Sequence, residues 1–462
     1  MTPTRTYDDG GATIPGGLVG PVERVVVIGA GMAGLTAANA LHHAGVPCVV
    51  LEARDRLGGR LHTADVGGSP VDLGGAWIHT PIGNPMTAWA DQCGVERRAA
   101  NALIDIVGWD AEHGRVPPDV LERLLAESWE ATPAIAAAGR ALGPDTSVAE
   151  AMAVVLAERG GDPVEHGWFA KLLLGAIEQD SAAPATSMPA VHPESSTLEY
   201  GGDYVGDMLL GGYVRLIEPM AAGLDIRRGW VVASIETGRD GIAVTSADGR
   251  TESGSHVLVT LPLGVLQAGS VRFAPDLPAD RRAVIERLGM GRFEKVALRF
   301  ERPFWSETGV PHIVDVSPGA GPRVSFVLGL DSSVGEPVVV GLAFGSDVGA
   351  LTTGTPAESA ARVMAVLEGA TGRPVPSPVA IARTAWSVDP FAQGSYAYVK
   401  LGSTLEDLDT LGLPVAGRIL FAGEATSSAR CGFADGALTS GIREAKRLLG
   451  RESVELGEIG AG

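Results

Sequence analysis

The sequence predicts a mixed α/β fold with two domains, one of which is discontinuous along the chain. The first observation is length, because 462 residues exceed what one ordinary hydrophobic core organises. The second is a βαβ pattern with spaced glycines in residues 24–60. The third is a strand, a glycine, an acid and a helix near residue 420. These repeat the order of the first unit, which predicts one domain built from both ends of the chain.

The first unit has the pattern of a dinucleotide-binding, Rossmann-like domain. A β-branched strand, a glycine turn, a small-residue helix and a second strand are predicted over 24–28, 29–34, 35–44 and 47–51. Gly29, Gly31 and Gly34 allow a tight turn, close approach of a pyrophosphate and close helix–strand packing. Glu52 follows the second strand, where a carboxylate binds a ribose hydroxyl, which argues against NADP. The alternative is a glycine-rich turn without a ligand.

Composition narrows the class of protein. The apolar content of 45% and the charged content of 20% are typical of a packed globular protein, and the net charge of −19 argues against nucleic acid as a partner. The three cysteines lie far apart, so neither a disulfide framework nor a metal site is predicted. Residues 1–22 lack the pattern of a secretory signal, and the apolar runs are too short for a bilayer. We therefore expect a cytoplasmic protein without a membrane partner and with a flexible tail over 1–22.

The remaining elements follow from periodicity and capping signals. Residues 84–180 are predicted to be mainly helical, with capping boxes at Ser147–Glu150 and Asp162–Glu165, and residues 181–212 are predicted to be irregular. Further strands are predicted over 230–236, 242–246, 256–260, 293–300 and 418–422. Further helices are predicted over 355–372 and about 435–449. Because residues 293–300 alternate with period two, they predict a half-buried strand.

Four separated blocks of sequence resemble the flavin-containing amine oxidases, and within them the polyamine oxidase and histone lysine demethylase branch. The blocks are GAGMAGLTAANAL with LEARDRLGGR, DLGGAWIHTPIGNP, RTAWSVDPFAQGSYAYVKLGS, and LFAGEATSSARCGFADGALTSGIREAKRLL. The resemblance covers about residues 24–450 and implies FAD as cofactor, with no metal. The long helical hairpin through which demethylases contact partner proteins has no counterpart in the pattern, so chromatin is not an expected partner.

The resemblance also implies domain limits and cofactor contacts. The FAD-binding domain is expected over 23–98, 222–270 and 395–455, with an inserted α+β substrate-binding domain over 99–221 and 271–394. On spacing alone, Arg54 and Arg60 are equally compatible with solvated loop arginines. The residues expected to contact FAD are Gly29, Gly31, Gly34, Glu52, Arg54, Gly59, Arg60, Gly75, Ala76, Trp77, Val232, Gly423, Glu424, Phe433 and Ala434.

Lys295 is the expected catalytic residue. It falls where the family places a lysine that holds a water against the flavin, and a cation there would assist re-oxidation by O2. Periodicity alone favours a solvated lysine that shares a strand face with Arg299. The resemblance therefore implies that Lys295→Met slows flavin re-oxidation while FAD stays bound.

Four residues are expected to contact the substrate: His79, Trp386, Tyr396 and Phe433. Tyr396 matches one wall of the family's aromatic cage, and Phe433 stands where the other wall often has tyrosine. A structural histidine and plain core aromatics are the alternatives. Ser395 stands where monoamine oxidases carry the cysteine that is linked to flavin, so FAD is expected to be non-covalent.

Acidic residues that would anchor a distal ammonium are Glu178, Asp180, Glu199 and Asp203, each of which is also compatible with a solvated surface acid. The implied reaction oxidises a C–N bond of a polyamine, such as spermine, spermidine or an acetylated form, with O2 reduced to hydrogen peroxide. The alternatives are an L-amino acid oxidase, a pathway-specific amine oxidase or dehydrogenase, and a non-catalytic FAD-binding protein. Neither the exact amine nor the oligomeric state follows from the sequence.

Overall fold

The computed structural model describes residues 6–7, 17–100, 105–191, 200–201, 205–319 and 321–456. Within them, a five-stranded parallel sheet takes its strands from three separate parts of the chain. In spatial order the strands are Ile226–Arg227, Cys48–Leu51, Val25–Ile28, His256–Val259 and Ile419–Phe421. All residues of the central strand Val25–Ile28 are buried, as expected for a β-branched strand covered on both faces. The sheet confirms the predicted discontinuous α/β domain.

Two helices from opposite ends of the chain pack together beside this sheet. They are Met32–His43, which follows the glycine turn, and Ala434–Leu449, named here the closing helix. Small residues allow the close contact, because a Cβ atom at Gly441 would lie 2.4 Å from the carbonyl oxygen of Ala33. The closing helix ends where the sequence predicts, at Gly450 in the left-handed conformation.

A seven-stranded sheet forms the core of the second part of the molecule. In spatial order its strands are Ala380–Arg383, Phe293–Arg299, Val338–Phe344, Phe326–Gly329, His312–Asp315, Ile106–Asp110 and Gly114–Arg115. Helix Pro356–Thr371, which begins at the predicted capping box of Thr355 and Glu358, packs against this sheet. Together with the helices below, the sheet forms the expected inserted α+β unit.

The prediction of a mainly helical stretch over 84–180 is only partly correct. Helices Pro85–Gln92, Pro118–Leu142, Val148–Arg159 and Pro163–Ser181 are present. Between the first two, however, lie the strands Arg97–Ala99, Ile106–Asp110 and Gly114–Arg115. Strand Ile106–Asp110 pairs in parallel with His312–Asp315, some 200 residues away. Local sequence carries no trace of such a partner.

The prediction of a half-buried strand over 293–300 is wrong. Strand Phe293–Arg299 pairs on both edges, with Val338–Phe344 and Ala380–Arg383. Its five central residues are all buried, including Glu294 and Lys295. The alternation of polar and apolar residues therefore reflects buried polar side chains with internal partners, and not a solvated face.

Smaller elements complete the described residues. A four-stranded sheet is formed by Thr251–Gly254, Ile242–Ser246, Val232–Thr237 and Arg272–Ala274. A three-stranded sheet is formed by Trp77–Ile78, Asp207–Leu209 and Arg97–Ala99, and three ribbons by Thr63–Val66 with Ser69–Asp72, Gly289–Met290 with Ala397–Tyr398, and Thr6–Tyr7 with Val454–Glu455. The remaining α-helices of the described residues are Val214–Ala221, Leu263–Gln267, Ala279–Arg287, Gly349–Thr352 and Leu405–Leu411.

Most of the predicted tail lies outside the described residues, but Thr6–Tyr7 forms one of these ribbons. No helix in the described part of the chain is long and apolar enough to cross a membrane. Across the same residues, no group of three or more His, Cys, Asp and Glu side chains is arranged to hold a metal ion.

Candidate active site

One cavity of about 880 Å³ collects the predicted site residues. Its wall includes residues of the five-stranded sheet, the seven-stranded sheet and helix Pro163–Ser181. Its volume lies near the upper end of the range of roughly 300–1,000 Å³ for ligand pockets. The predicted site residues on the wall are Gly29, Gly31, Glu52, Arg54, Gly59, Arg60, Gly75, Ala76, Trp77, His79, Val232, Lys295, Trp386, Tyr396, Gly423, Glu424, Phe433 and Ala434. Gly34 is the one that does not line it.

The glycines of the first turn have different surroundings. A Cβ atom at Gly34 would lie 2.0 Å from the carbonyl oxygen of Gly29, so this glycine allows the helix to pack against the turn. A Cβ atom at Gly31 would meet nothing closer than the Gly58 oxygen at 4.0 Å, and Gly31 lines the cavity. Gly31 therefore leaves room for a ligand, whereas Gly34 leaves room for the protein itself.

Glu52 lies at the end of strand Cys48–Leu51 with its carboxylate fixed by backbone groups. The N–H groups of Ala30 and Arg54 donate to Glu52 Oε2 at 2.7 Å and to Oε1 at 2.9 Å. Residue Glu52 is only 6% exposed and lines the cavity. A buried carboxylate in this position matches the chemistry of a ribose contact.

Arg60 and Glu424 join the N-terminal and C-terminal blocks directly. Arg60 Nη1 donates to Glu424 Oε1 at 2.7 Å and to the Ser395 carbonyl oxygen at 2.8 Å. Glu424 Oε2 accepts the N–H groups of Gly432 and Ala397 at 3.0 and 3.2 Å. Arg60 is thus not a solvated loop arginine, and Glu424 organises the cavity wall through contacts that sequence reasoning did not predict.

Lys295 is buried on the cavity wall, which excludes the solvated alternative. Its Nζ donates to the carbonyl oxygens of Gly74 at 2.6 Å and Asp72 at 3.1 Å, and lies 5.1 Å from the centroid of the Trp77 ring. Burial lowers the pKa of Lys295 from 10.5 to about 8, and the Asp72 carboxylate opposes this shift. The Lys295 ammonium at the cavity wall therefore loses its proton at a lower pH than an ordinary lysine, near pH 8.

Asp72, in the DLGG block, does not line the cavity but lies beside Lys295, and the sequence predicts no role for it. Its carboxylate accepts the Thr63 hydroxyl at 2.5 Å and the Tyr213 N–H at 3.1 Å. Burial raises the pKa of Asp72 to about 6, against these hydrogen bonds and the charge of Lys295. Asp72 thus provides the negative charge facing the buried lysine.

Glu294, the neighbour of Lys295, orients a second part of the wall. It is fully buried and accepts hydrogen bonds from the Thr384 hydroxyl, the Trp386 N–H and the Ser387 N–H and hydroxyl. Trp386 Nε1 donates to the Leu73 carbonyl oxygen at 3.1 Å. Both ends of Trp386 are therefore fixed where it lines the cavity.

The predicted aromatic walls are present at the cavity. The Tyr396 hydroxyl donates to the Gln179 carbonyl oxygen at 2.5 Å, and burial raises its pKa well above the ordinary value. The rings of His79 and Phe433 meet edge to face at 5.4 Å between centroids.

Arg430 lies 4.0 Å from the centroid of the Phe433 ring and pairs with Asp435 at 2.6 Å. Asp435 lies in the first turn of the closing helix, so its charge is balanced at the helix end that meets the cavity.

The predicted carboxylate anchors have different outcomes. Glu178 is a buried structural acid, because it accepts the Ala185 N–H and the Ser346 N–H and hydroxyl, and it does not line the cavity. Asp180 lines the cavity. Glu199 and Asp203 lie outside the described residues. Three acids that were not predicted as site residues, Asp315, Asp347 and Asp435, also line the cavity, and Asp347 pairs with Lys171 at 2.5 Å.

The cavity fits a large ligand with hydrogen-bonding groups. Three of its wall residues have buried polar atoms without a protein partner, namely Trp77 Nε1, Trp230 Nε1 and Ser395 Oγ. Such atoms are expected to be satisfied by a ligand or by water. At Gly423 a Cβ atom would meet nothing within 4 Å. A flavin dinucleotide is large enough to fill the open space at Gly423. It also has hydrogen-bonding groups for Trp77 Nε1, Trp230 Nε1 and Ser395 Oγ.

The sequence matches the family model described as flavin containing amine oxidoreductase over residues 32–449. The chain belongs to this family. Its cofactor is accordingly FAD, in agreement with the dinucleotide motif and the cavity. The individual contacts of the site residues with FAD and with substrate remain predictions.

Relatives of known name extend this comparison. Lysine-specific histone demethylase 1 homolog 1 of Oryza sativa subsp. japonica is 32% identical over 451 residues, which cover 93% of this chain and 52% of the relative. Lysine-specific histone demethylase 1B of Mus musculus is 31% identical over 441 residues, which cover 92% of this chain and 53% of the relative. The chain thus spans about half the length of the curated relatives it matches.

A solved structure shares the fold. Putrescine oxidase with bound putrescine aligns with a TM-score of 0.74 at 21% identity, covering 93% of this chain and 99% of that one. At this identity the likeness establishes the architecture and not the substrate.

Proposed function

We propose that this chain is an FAD-dependent amine oxidase that acts on a polyamine such as spermine, spermidine or an acetylated form. When bound, FAD would supply the two-electron oxidation: it would accept a hydride from the carbon next to the amine nitrogen, and O2 would take up the two electrons with two protons to give hydrogen peroxide. The remaining imine is hydrolysed by water. The observation that carries the proposal is the buried Lys295 ammonium on a cavity wall shared with the dinucleotide motif.

The chain's own residues have separable roles in this proposal. Lys295 places a positive charge where charge develops on oxygen, and a fixed charge in a dry site is effective because no solvent must reorganise. Tyr396 and Phe433 supply apolar walls that orient the amine and exclude water. The reacting nitrogen must be neutral to release hydride, so the rate of flavin reduction is expected to rise with pH.

The charges on the wall favour an amine over an amino acid. Asp180 and Asp315 line the cavity and attract a second ammonium group. An amino acid would instead need a guanidinium for its carboxylate. The arginines on the described part of the wall are Arg54 and Arg60, which pair with Asp389 and Glu424.

A second candidate substrate is a peptide with a methylated lysine, because the relatives at 31–32% identity are named as histone lysine demethylases. Its reacting nitrogen also carries an oxidisable carbon, so the same residues would serve. Direct comparison of substrates separates the two candidates.

The deciding experiment is anaerobic flavin reduction with spermine, spermidine, their acetylated forms, benzylamine, leucine and a dimethyl-lysine peptide. We expect fast bleaching by at least one polyamine. We also expect Asp315→Asn to weaken saturation by polyamines but not by benzylamine, whereas Asp248→Asn, an exposed acid that is not on the wall, changes neither. If only leucine or only the dimethyl-lysine peptide bleaches the flavin, the protein is an amino acid oxidase or a lysine demethylase, and the polyamine proposal is wrong. No bleaching by any substrate would indicate a non-catalytic flavoprotein.

A further inference from the structure

A loop outside the predicted cofactor contacts covers the cavity beside Arg54. This loop comprises residues 386–395 and is named here the 386–395 loop. Its residues Pro390 and Phe391 line the cavity together with Glu52 and Arg54. Because Glu52 ends the second strand of the βαβ unit, these residues lie at the nucleotide end of the cavity.

We propose that Asp389 fastens the 386–395 loop to Arg54 and thereby retains the dinucleotide cofactor. Arg54 Nη2 donates to Asp389 Oδ1 at 2.5 Å, and Nη1 donates to Oδ2 at 3.0 Å. The two side chains are 15% and 22% exposed. A bidentate pair of this kind fixes distance and orientation together, unlike an exposed single contact, which contributes little.

Both partners of the ion pair are also held by other hydrogen bonds. On one side, the Arg54 N–H donates to Glu52 Oε1 at 2.9 Å, and the Arg54 carbonyl oxygen accepts the Gly229 N–H at 3.1 Å. On the other side, Asp389 Oδ1 accepts the Phe391 N–H at 2.8 Å, which holds the turn that presents Phe391. The ion pair therefore joins two preorganised units, so little entropy is lost when it forms.

Phe391 connects the ion pair to the cavity wall. The Arg54 guanidinium lies 5.2 Å from the centroid of the Phe391 ring, within the range of a cation–π contact. Arg54 thus holds the loop by charge through Asp389 and by stacking through Phe391. Displacement of Asp389 would remove Phe391 from the wall at the same time.

Both ends of the 386–395 loop have their own anchors, since Trp386 is held by Glu294 and Leu73. The Gly394 N–H donates to the Trp386 carbonyl oxygen, and the Ser395 N–H donates to the Gly291 carbonyl oxygen, both at 2.9 Å. With both ends held, the Arg54–Asp389 pair fastens the middle of the loop over the nucleotide end of the cavity. The proposal rests on the family's FAD and not on the amine that the enzyme oxidises.

The test measures FAD release from the holoenzyme, without any amine, by the fluorescence of freed flavin after dilution. In Asp389→Asn, the amide oxygen still accepts the Phe391 N–H, so the turn is kept and only the charged pair with Arg54 is lost. Because loops that close over a ligand control its release, we expect loss of the pair to accelerate FAD release about tenfold or more. The melting temperature of the apoprotein should stay at the parent value.

Glu236→Gln provides the matched control. It breaks the Arg272–Glu236 ion pair, which is 2.6 Å long and does not line the cavity. Release from this variant should equal that of the parent. If Asp389→Asn does not fold, Asp389→Ser replaces it, because a serine hydroxyl also accepts a hydrogen bond from the N–H two residues on.

Three outcomes would overturn the proposal. They are release from the Asp389 variant within about twofold of the parent, equal acceleration in the Glu236 control, and failure of both Asp389 variants to fold, which would make Asp389 a residue of the fold. None of them bears on whether a polyamine reduces the flavin. A polyamine-inactive protein that nevertheless releases FAD faster in Asp389→Asn would leave the cofactor-retaining role intact.

Discussion

At the scale of single residues, Lys295 has the surroundings of a functional group. An ammonium has three N–H donors, and the described residues engage two of them through the carbonyl oxygens of Asp72 and Gly74. One donor therefore remains for a group inside the cavity. Burying a charged lysine raises the free energy of the folded protein unless an opposite charge or hydrogen bonds compensate for the lost hydration. The Asp72 carboxylate compensates for it only in part, because the pKa of Lys295 is still lowered.

Lys295 predicts a pH dependence for flavin re-oxidation. Its lowered pKa of about 8 means that the side chain is cationic below this pH and neutral above it. The rate constant for re-oxidation of the reduced enzyme by O2 should therefore fall as pH rises through about 8. In Lys295→Met the rate should be lower by about two orders of magnitude and independent of pH, with FAD still bound. Stopped-flow absorbance measures both quantities.

Arg299→Met is the control for that variant. Arg299 lies on the same strand and the same face as Lys295, but it bonds to Ser69 and does not line the cavity. Parent-like re-oxidation is expected for it. Parent-like re-oxidation in Lys295→Met would remove Lys295 from the mechanism.

At the scale of elements, the glycine turn meets two requirements, space for a ligand and close packing of helix on strand, which the sequence motif does not distinguish. Gly31 faces the cavity, whereas Gly34 contacts Gly29 across the join between strand and helix. One substitution therefore tests the ligand, and the other tests the fold.

Gly31→Ala and Gly34→Ala are expected to fail differently. In Gly34→Ala, the new methyl group meets backbone at 2.0 Å, so the free energy of unfolding should fall by about 3 kcal/mol or more. This should happen although alanine is the better helix former. Gly31→Ala should leave apoprotein stability unchanged and weaken FAD binding at least about tenfold. Denaturant unfolding and flavin titration distinguish them, and equal stability of the two apoproteins would contradict this explanation.

Turn residues and helix-capping residues predicted those strands and helices whose limits depend on the local sequence. The βαβ unit, the capped helix Pro356–Thr371 and the closing helix follow from turn and capping residues. Strand Ile106–Asp110 could not be predicted in the same way, because it is defined by its pairing with His312–Asp315. Periodicity alone did not predict the burial of Lys295 for a related reason, since its strand pairs with strands remote in sequence.

At the scale of the whole molecule, the site joins motifs that are far apart in the chain. The quoted blocks contain every predicted cofactor contact except Val232, because each block has its own recognisable spacing. The acids Asp315 and Asp347 were missed because nothing in their local sequence distinguishes them from surface acids. The pairing of Asp389 with Arg54 was missed as well, because the two residues lie in different blocks.

The flavin should leave the protein when the fold is lost. Ser395 cannot form a thioether, and Cys431 is the one cysteine on the cavity wall. Burial raises the pKa of Cys431 well above its usual value, so its thiol stays protonated and a poor nucleophile. After denaturation in guanidinium chloride and filtration, all flavin absorbance should be in the filtrate. Absorbance that stays with the protein would reveal a covalent bond.

The positions of the strands along the chain also determine when the parallel sheet can be completed during synthesis of the protein. Val25–Ile28 leaves the ribosome about 390 residues before Ile419–Phe421, which completes the same sheet. At typical elongation rates of roughly 5–20 residues per second, this interval is about 20–80 s. The FAD site is therefore incomplete until strand Ile419–Phe421 and the closing helix have been synthesised, and the cofactor is captured only after that point. Until then, the apolar strands of the nascent sheet stay without their last partner and are exposed to chaperones.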